Sequence, residues 1–243
     1  MTARATTSSV RTIWWVLVRS ITTRVRVAGL SVLGVGAIVL GIFVHLSTSA
    51  NRPEAAWSVV DAYGLSLLIP VVALMFASAA LGDLAEDGTL VYLWLRPIPR
   101  WQLALAAVAA SVTVAVPLAV LPLVFAAAIS GGGIRLVGAA AAGGTLATVA
   151  YSAVFCGLGL RVRRALAWGL AYLVIWEQAV ARVSHGAARA SLFISTRSLA
   201  AHLARHAPPH NAVAWGTGLI FPLLVAVAAL VFTTRSLDRG ELT

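Results

Sequence analysis

The sequence predicts an all-α integral membrane protein with about six transmembrane helices, and three observations predict it. Of 243 residues, 60% are hydrophobic and 11% charged, whereas a soluble domain carries about a quarter charged residues. The apolar residues fall into runs long enough to span a bilayer, which takes about 20 residues each. Those runs, punctuated by charge, fill nearly the whole chain, so no room is left for a sizeable soluble domain.

Residues 1–9 are too polar to pack and are read as a disordered tail. In residues 10–26, Trp14, Trp15, Leu17 and Val18 alternate with Arg11, Arg19, Arg24 and Arg26, the pattern of an amphipathic helix lying in the membrane interface. The basic stretch is long and is followed by a run of spanning length, unlike a cleaved export signal. A transmembrane domain over 27–243 follows, with spans expected at 27–46, 58–82, 101–130, 136–160, 165–181 and 212–233. The third would reach about 45 Å, so it is expected to start outside the bilayer and to kink at Pro117 or Pro122. The fifth is short, and its continuation through 182–211 is polar enough to leave the bilayer as an outer segment.

The net charge of +10 comes from arginine alone, since the chain has no lysine. Arginines concentrate in short cytoplasmic loops. With the N-terminus inside, those loops hold Arg96, Arg100, Arg161, Arg163, Arg164, Arg235 and Arg239 besides the N-terminal group. Trp101 and Trp168 then fall at inner boundaries, Trp57 and Trp215 at outer ones, as tryptophan prefers. Both termini are therefore expected in the cytoplasm. Membrane lipids account for the basic excess; nucleic-acid binding needs a solvated basic patch, and the sequence offers none. Cys156 is the only cysteine and lies in an apolar run, so it reads as a packed thiol.

The loop at 83–100, between the second and third spans, is unusual. Glu86 and Asp87 precede Gly88, a bend, and Thr89, which can cap a short helix LVYLWLR ended by Pro97. That helix displays Leu90, Tyr92 and Trp94 among other apolar residues on every side, with Arg96 at its end and Arg100 beyond. A helix apolar all round in the cytosol should be covered by a partner.

The stretch EDGTLVYLWLRPIPRWQLALA resembles the loop motif of ABC type-2 exporter permeases, an acid, Gly-Thr-Leu, a mostly apolar run, then Pro and Arg before a leucine-rich helix. Glu86, Gly88, Thr89, Leu90, Pro97 and Arg100 match it, and Pro99 stands where the family commonly has Ser. The resemblance implies that the segment is a cytoplasmic coupling helix docking on a separate ATPase subunit, with Tyr92, Trp94 and Arg96 at that contact. It also implies a re-entrant outer segment before the last span, two permease copies or a similar second permease, two ATPase copies carrying ATP and Mg, and residence in a bacterial inner membrane. The chain itself has no phosphate-cradling G-x-x-x-x-G-K-[ST], which needs a lysine, so no cofactor is expected in it and it is not expected to be an enzyme.

Glu177, near the end of the fifth span, is a candidate contact on the permeation path; a carboxylate reaching the interface or pairing with Arg182 is the simpler reading. Asp61 has the same standing in the second span. His202 and His206 share a helical face, but no further ligand lies nearby in sequence, so no metal site is assigned. They belong with an outer cap that Ser191, Ser195, Thr196 and Ser198 make polar and Leu192, Phe193, Ile194 and Leu199 make apolar. Small residues at Gly29, Gly34, Gly36, Gly41 and in GAAAAGGTLATVA allow close helix contacts, within one subunit or between two. The function expected is that of a permease subunit moving a hydrophobic or amphipathic cargo outward. A non-transporting scaffold that binds an ATPase is the alternative. A membrane-embedded enzyme is a second, though the chain shows no HExxH, no G-x-S-x-G and no paired intramembrane carboxylates.

Overall fold

The computed structural model describes residues 2–47, 51–86, 99–180, 189–207 and 212–239, and among these all regular structure is helical. Five helices are long and apolar enough to cross a membrane. The chain is a multi-pass α-helical membrane protein.

Helix α1, Thr2–Ile21, turns Ile13, Leu17 and Ile21 inward at helical spacing. It starts earlier than the sequence reading has it, at Thr2 rather than at residue 10, because neither glycine nor proline interrupts the chain before Gly29. It packs on the first half of the fourth helix, where Trp14 Nε1 donates to Thr113 Oγ1 at 3.2 Å. A break at Thr22 and Thr23 separates it from α2, Arg24–Leu46, which Thr23 caps through its hydroxyl. In α2 the buried positions are Leu30, Gly34, Ala37, Gly41 and Val44, a stripe of alternating four- and three-residue steps. The stripe is small because it rests on backbone: a Cβ at Gly41 would come within 2.7 Å of the Ala126 carbonyl oxygen, and one at Gly34 within 2.9 Å of that of Leu118. These glycines make contacts inside one subunit.

Helix α3, Arg52–Glu86, spans 35 residues and is the most buried of the five. Residues Val59–Leu68 are wound as a π-helix. Just beyond them, Pro70 has no N–H to offer the Ser66 carbonyl four residues back, and that carbonyl accepts from Gln178 Nε2 at 3.0 Å. Helix α4, Arg100–Ile129, carries a second π-helical turn at Val116–Val120 around Pro117, which is how the chain absorbs the proline where a kink is expected. The turn into α5, Gly133–Arg161, uses positive φ at Gly131 and Gly133 (81° and 75°), a region that favours glycine.

Helix α5 packs against α3 along most of its length and forms the centre of the bundle with it. Arg164, left-handed at φ 63°, opens α6, which is α-helical over Ala165–Ala171 and π-helical over Tyr172–Val180. The described part of this fifth expected span is shorter than the other five and is not among the spanning helices. Helix α7, Leu192–Ala204, is capped by Ser191, and α8, Trp215–Arg239, closes the bundle against α5.

Helix α7 departs most from the sequence reading. Where the sequence suggests a partly amphipathic outer cap, Leu192 through Thr196 and Ser198 through Ala201 are buried, between α5 and α8. Its hydroxyl groups are tolerated there because they bond to carbonyls of their own helix. Ser195 donates to Ser191 O at 2.8 Å, Thr196 to Leu192 O at 2.9 Å and Ser198 to Ile194 O at 2.7 Å. Glycines admit the helix: a Cβ at Gly218 would meet Ser195 O at 2.7 Å, and one at Gly143 the Ala200 methyl at 3.0 Å.

Candidate functional site

The antiparallel course of the helices sorts the functional candidates between two ends of the bundle. At one end α3 finishes with Glu86 and α4 begins with Arg100, the two described members of the loop motif. Gly88, Thr89, Leu90, Tyr92, Trp94, Arg96 and Pro97 lie outside the described residues. Pro99 leads into α4 in extended conformation (φ −59°, ψ 130°), and its carbonyl accepts from Gln102 N at 3.0 Å. Beside this junction Arg26 grips Asp83 with both terminal nitrogens, at 2.8 and 3.3 Å, and ties the start of α2 to the end of α3. A pair this exposed contributes at most about 1 kcal/mol, so it sets register more than stability. Glu86 lines a cavity of about 400 Å³ with Arg161, Arg163 and Arg164 from the α5–α6 turn. In the sequence those three arginines orient the chain; their spacing in one short turn is the signal of a shared site.

At the opposite end Asp61, Glu177 and the hydroxyls of α7 are buried. Glu177, on the π-helical part of α6, is 1% exposed. Its carboxylate accepts from Tyr172 Oη at 2.8 Å, from the Ser191 hydroxyl, and from the backbone N–H groups of Leu192 and Phe193 at 3.2 and 3.3 Å. It therefore closes the first turn of α7 from another helix, where the free N–H groups and the helix dipole both favour an anion. It does not reach for the interface; Arg182, the other partner expected, lies outside the described residues. The fully buried Tyr151 phenol stands beside this carboxylate, outside hydrogen-bonding geometry.

One turn along α7, Arg197 forms an ion pair with Asp61 of α3 at 2.6 Å, and its guanidinium lies 5.7 Å from the Phe193 ring. Gln178 also bonds the Ser66 hydroxyl at 2.7 Å. Three separate polar contacts thus join the helices in pairs: Glu177 to the start of α7, Gln178 to Ser66 of α3, and Arg197 of α7 to Asp61 of α3. The two histidines have separate partners. His206 stacks on Trp57 (centroids 4.7 Å apart) and faces Glu54 at 3.2 Å, while His202 stacks on Trp215 at 5.8 Å. Among the described residues, no three of His, Cys, Asp and Glu come together as a metal site would need.

The Asp61–Arg197 pair gives a direct prediction. Arg197→Met is expected to remove the 2.6 Å ion pair to the buried Asp61 and to cost about 3 kcal/mol, measured as a lower thermal unfolding midpoint in detergent. Adding Asp61→Leu to that variant is expected to recover most of the loss. No recovery would mean that packing of the arginine stem, and not the charge pair, is what α7 relies on.

Comparison of the chain with protein-family models and with curated proteins finds no match to either.

Proposed function

We propose that this protein is the membrane permease subunit of an ATP-binding cassette exporter of the type-2 class. The single observation that carries the reading is the motif from Glu86 through Gly88, Thr89, Leu90 and Pro97 to Arg100, placed between two consecutive long membrane helices. Its position supports the reading, because a force applied between Glu86 and Arg100 acts on α3 and α4 together, and α3 is in turn packed along the central α5.

In this reading ATP and Mg are bound by two copies of a separate ATPase subunit, since the chain has no lysine for a phosphate loop. Closure of that subunit pushes on residues 90–96, and two permease copies, or this one and a similar one, open a path for a hydrophobic or amphipathic cargo. The arginine-rich end then faces the cytoplasm of a bacterial inner membrane, with both termini on that side and α6 as a sixth membrane segment. Helix α7, short and inserted from the opposite end, takes the part of the re-entrant segment. Glu177 with all its donors serves this architecture as a structural clamp and not as a cargo contact.

The test is affinity capture of the chain from native membranes, alongside a variant carrying Glu86→Arg and Trp94→Ala. A cassette ATPase is expected with the native chain and is expected to be lost from the variant, while both insert equally. Capture without any ATPase under gentle extraction would sink the reading. An ATPase that binds, with no ATP-dependent efflux from reconstituted vesicles, would move it to a docking scaffold.

A further inference from the structure

The cavity that Glu86 shares with three arginines adjoins a second one that the proposed function does not use, the two having Arg161 and Val162 in common. Arg161 ends α5, and Arg163 and Arg164 lie exposed in the turn that follows. Arg164 holds a left-handed backbone there (φ 63°), which is unfavourable for a residue with a Cβ. This second cavity is a groove of about 460 Å³ between α5 and α8. Val154, Leu158, Val225, Ala228 and Phe232 make its walls apolar. The guanidinium of Arg161 lies 5.5 Å over the Phe232 ring, at the junction of the charged and apolar parts.

We propose that this pair of cavities binds one anionic phospholipid, its phosphate among Arg161, Arg163 and Arg164 and an acyl chain along the groove between α5 and α8. The groove runs beside helices that span the membrane, so hydrocarbon chains are the occupant its surroundings supply. The charge at its end selects among them. Guanidinium groups match phosphate oxygens with paired donors, and basic pockets between membrane helices favour acidic headgroups. Arginine at the C-terminus of α5 also complements the helix dipole. That accounts for a cation within the last turn, but neither for three around one cavity nor for the apolar groove next to it. Glu86 opposes an anion in the same cavity and is outnumbered by the arginines.

The test uses the full chain in detergent, titrated with phosphatidylglycerol and phosphatidylcholine of identical acyl chains and read by native mass spectrometry. Phosphatidylglycerol is expected to bind about tenfold more tightly, and Arg163→Gln with Arg164→Gln to cut that preference to about twofold. Both side chains are exposed, so the variant is expected to keep the native elution profile and unfolding midpoint. Ala228→Trp, which fills the groove from an exposed position, is expected to weaken both lipids. Equal binding of the two lipids by the native chain, or full preference retained without Arg163 and Arg164, would overturn the proposal. So would displacement of phosphatidylglycerol by millimolar inorganic phosphate alone, which would mark a site for a free anion. None of these readouts involves an ATPase, so they stand apart from the capture experiment.

Discussion

Gly159→Val is expected to force apart the two central helices and to cost about 3 kcal/mol or more of stability. A Cβ at Gly159 would lie 2.3 Å from the Ser78 carbonyl oxygen and 2.8 Å from its Cα. The obstacle is backbone on α3, so no side chain can rotate away to make room. From the other side, a Cβ at Gly82 would meet the Gly159 carbonyl oxygen at 3.1 Å. Association in lipid rests on such close fit, since burying apolar surface from lipid gains little. The loss is read as the drop in thermal unfolding midpoint in detergent. Gly138→Val is the control: it lies on the same helix with nothing within 4 Å of the added carbon, and it is expected to change stability by less than about 0.5 kcal/mol. Equal losses in the two variants would trace the effect to the residue type and not to the crossing.

Glu177→Ala is expected to release α7, because it removes the acceptor shared by Tyr172, Ser191 and the N–H groups of Leu192 and Phe193. Leaving these donors buried without a partner costs about 3 kcal/mol. The loss is local, so hydrogen exchange is the sharper measurement: amides of Leu192–Ala204 are expected to lose protection well before those of α5. Glu177→Gln keeps one carbonyl acceptor but no charge, and its effect is expected to fall between the two. Unchanged protection of α7 in Glu177→Ala would show that packing alone holds the helix in place.

The spans α2, α3, α4, α5 and α8 were legible in the sequence because crossing a bilayer is a property of one contiguous apolar stretch. The proline in α4 likewise announced its irregular turn. The fate of α7 was not legible. Ser191, Ser195, Thr196 and Ser198 read as the polar contacts of an outer cap, and only the folded backbone shows each hydroxyl satisfied by a carbonyl three or four residues earlier or, at Ser191, by the carboxylate of Glu177. Asp61 and Glu177 stood out as charges in apolar runs, but Arg197, Ser191 and the N–H groups of Leu192 and Phe193 reach them from another part of the chain, a relation that periodicity does not encode. Gly34 and Gly41 signalled close contact, and it took the fold to say that the contact lies within one chain. Of the candidate site, the sequence marked the loop motif and missed the arginine cavity next to it, since Arg161, Arg163 and Arg164 also serve the ordinary purpose of orienting a membrane protein.

The π-helical stretches at Val59–Leu68, Val116–Val120 and Tyr172–Val180 fall on α3, α4 and α6, while α2, α5 and α8 are wound as α-helix throughout their described lengths. A π turn packs more residues into a given length of axis than an α turn does. Three of the bundle's rods thus carry spare chain, which exchange of hydrogen bonds can pay out or take in while the rod stays whole. Two of those rods are the pair that flanks residues 87–98, and α5, α-helical over its whole length, packs against both. Length, and not only tilt, is therefore what a switch between α and π hydrogen bonding would change in these three helices.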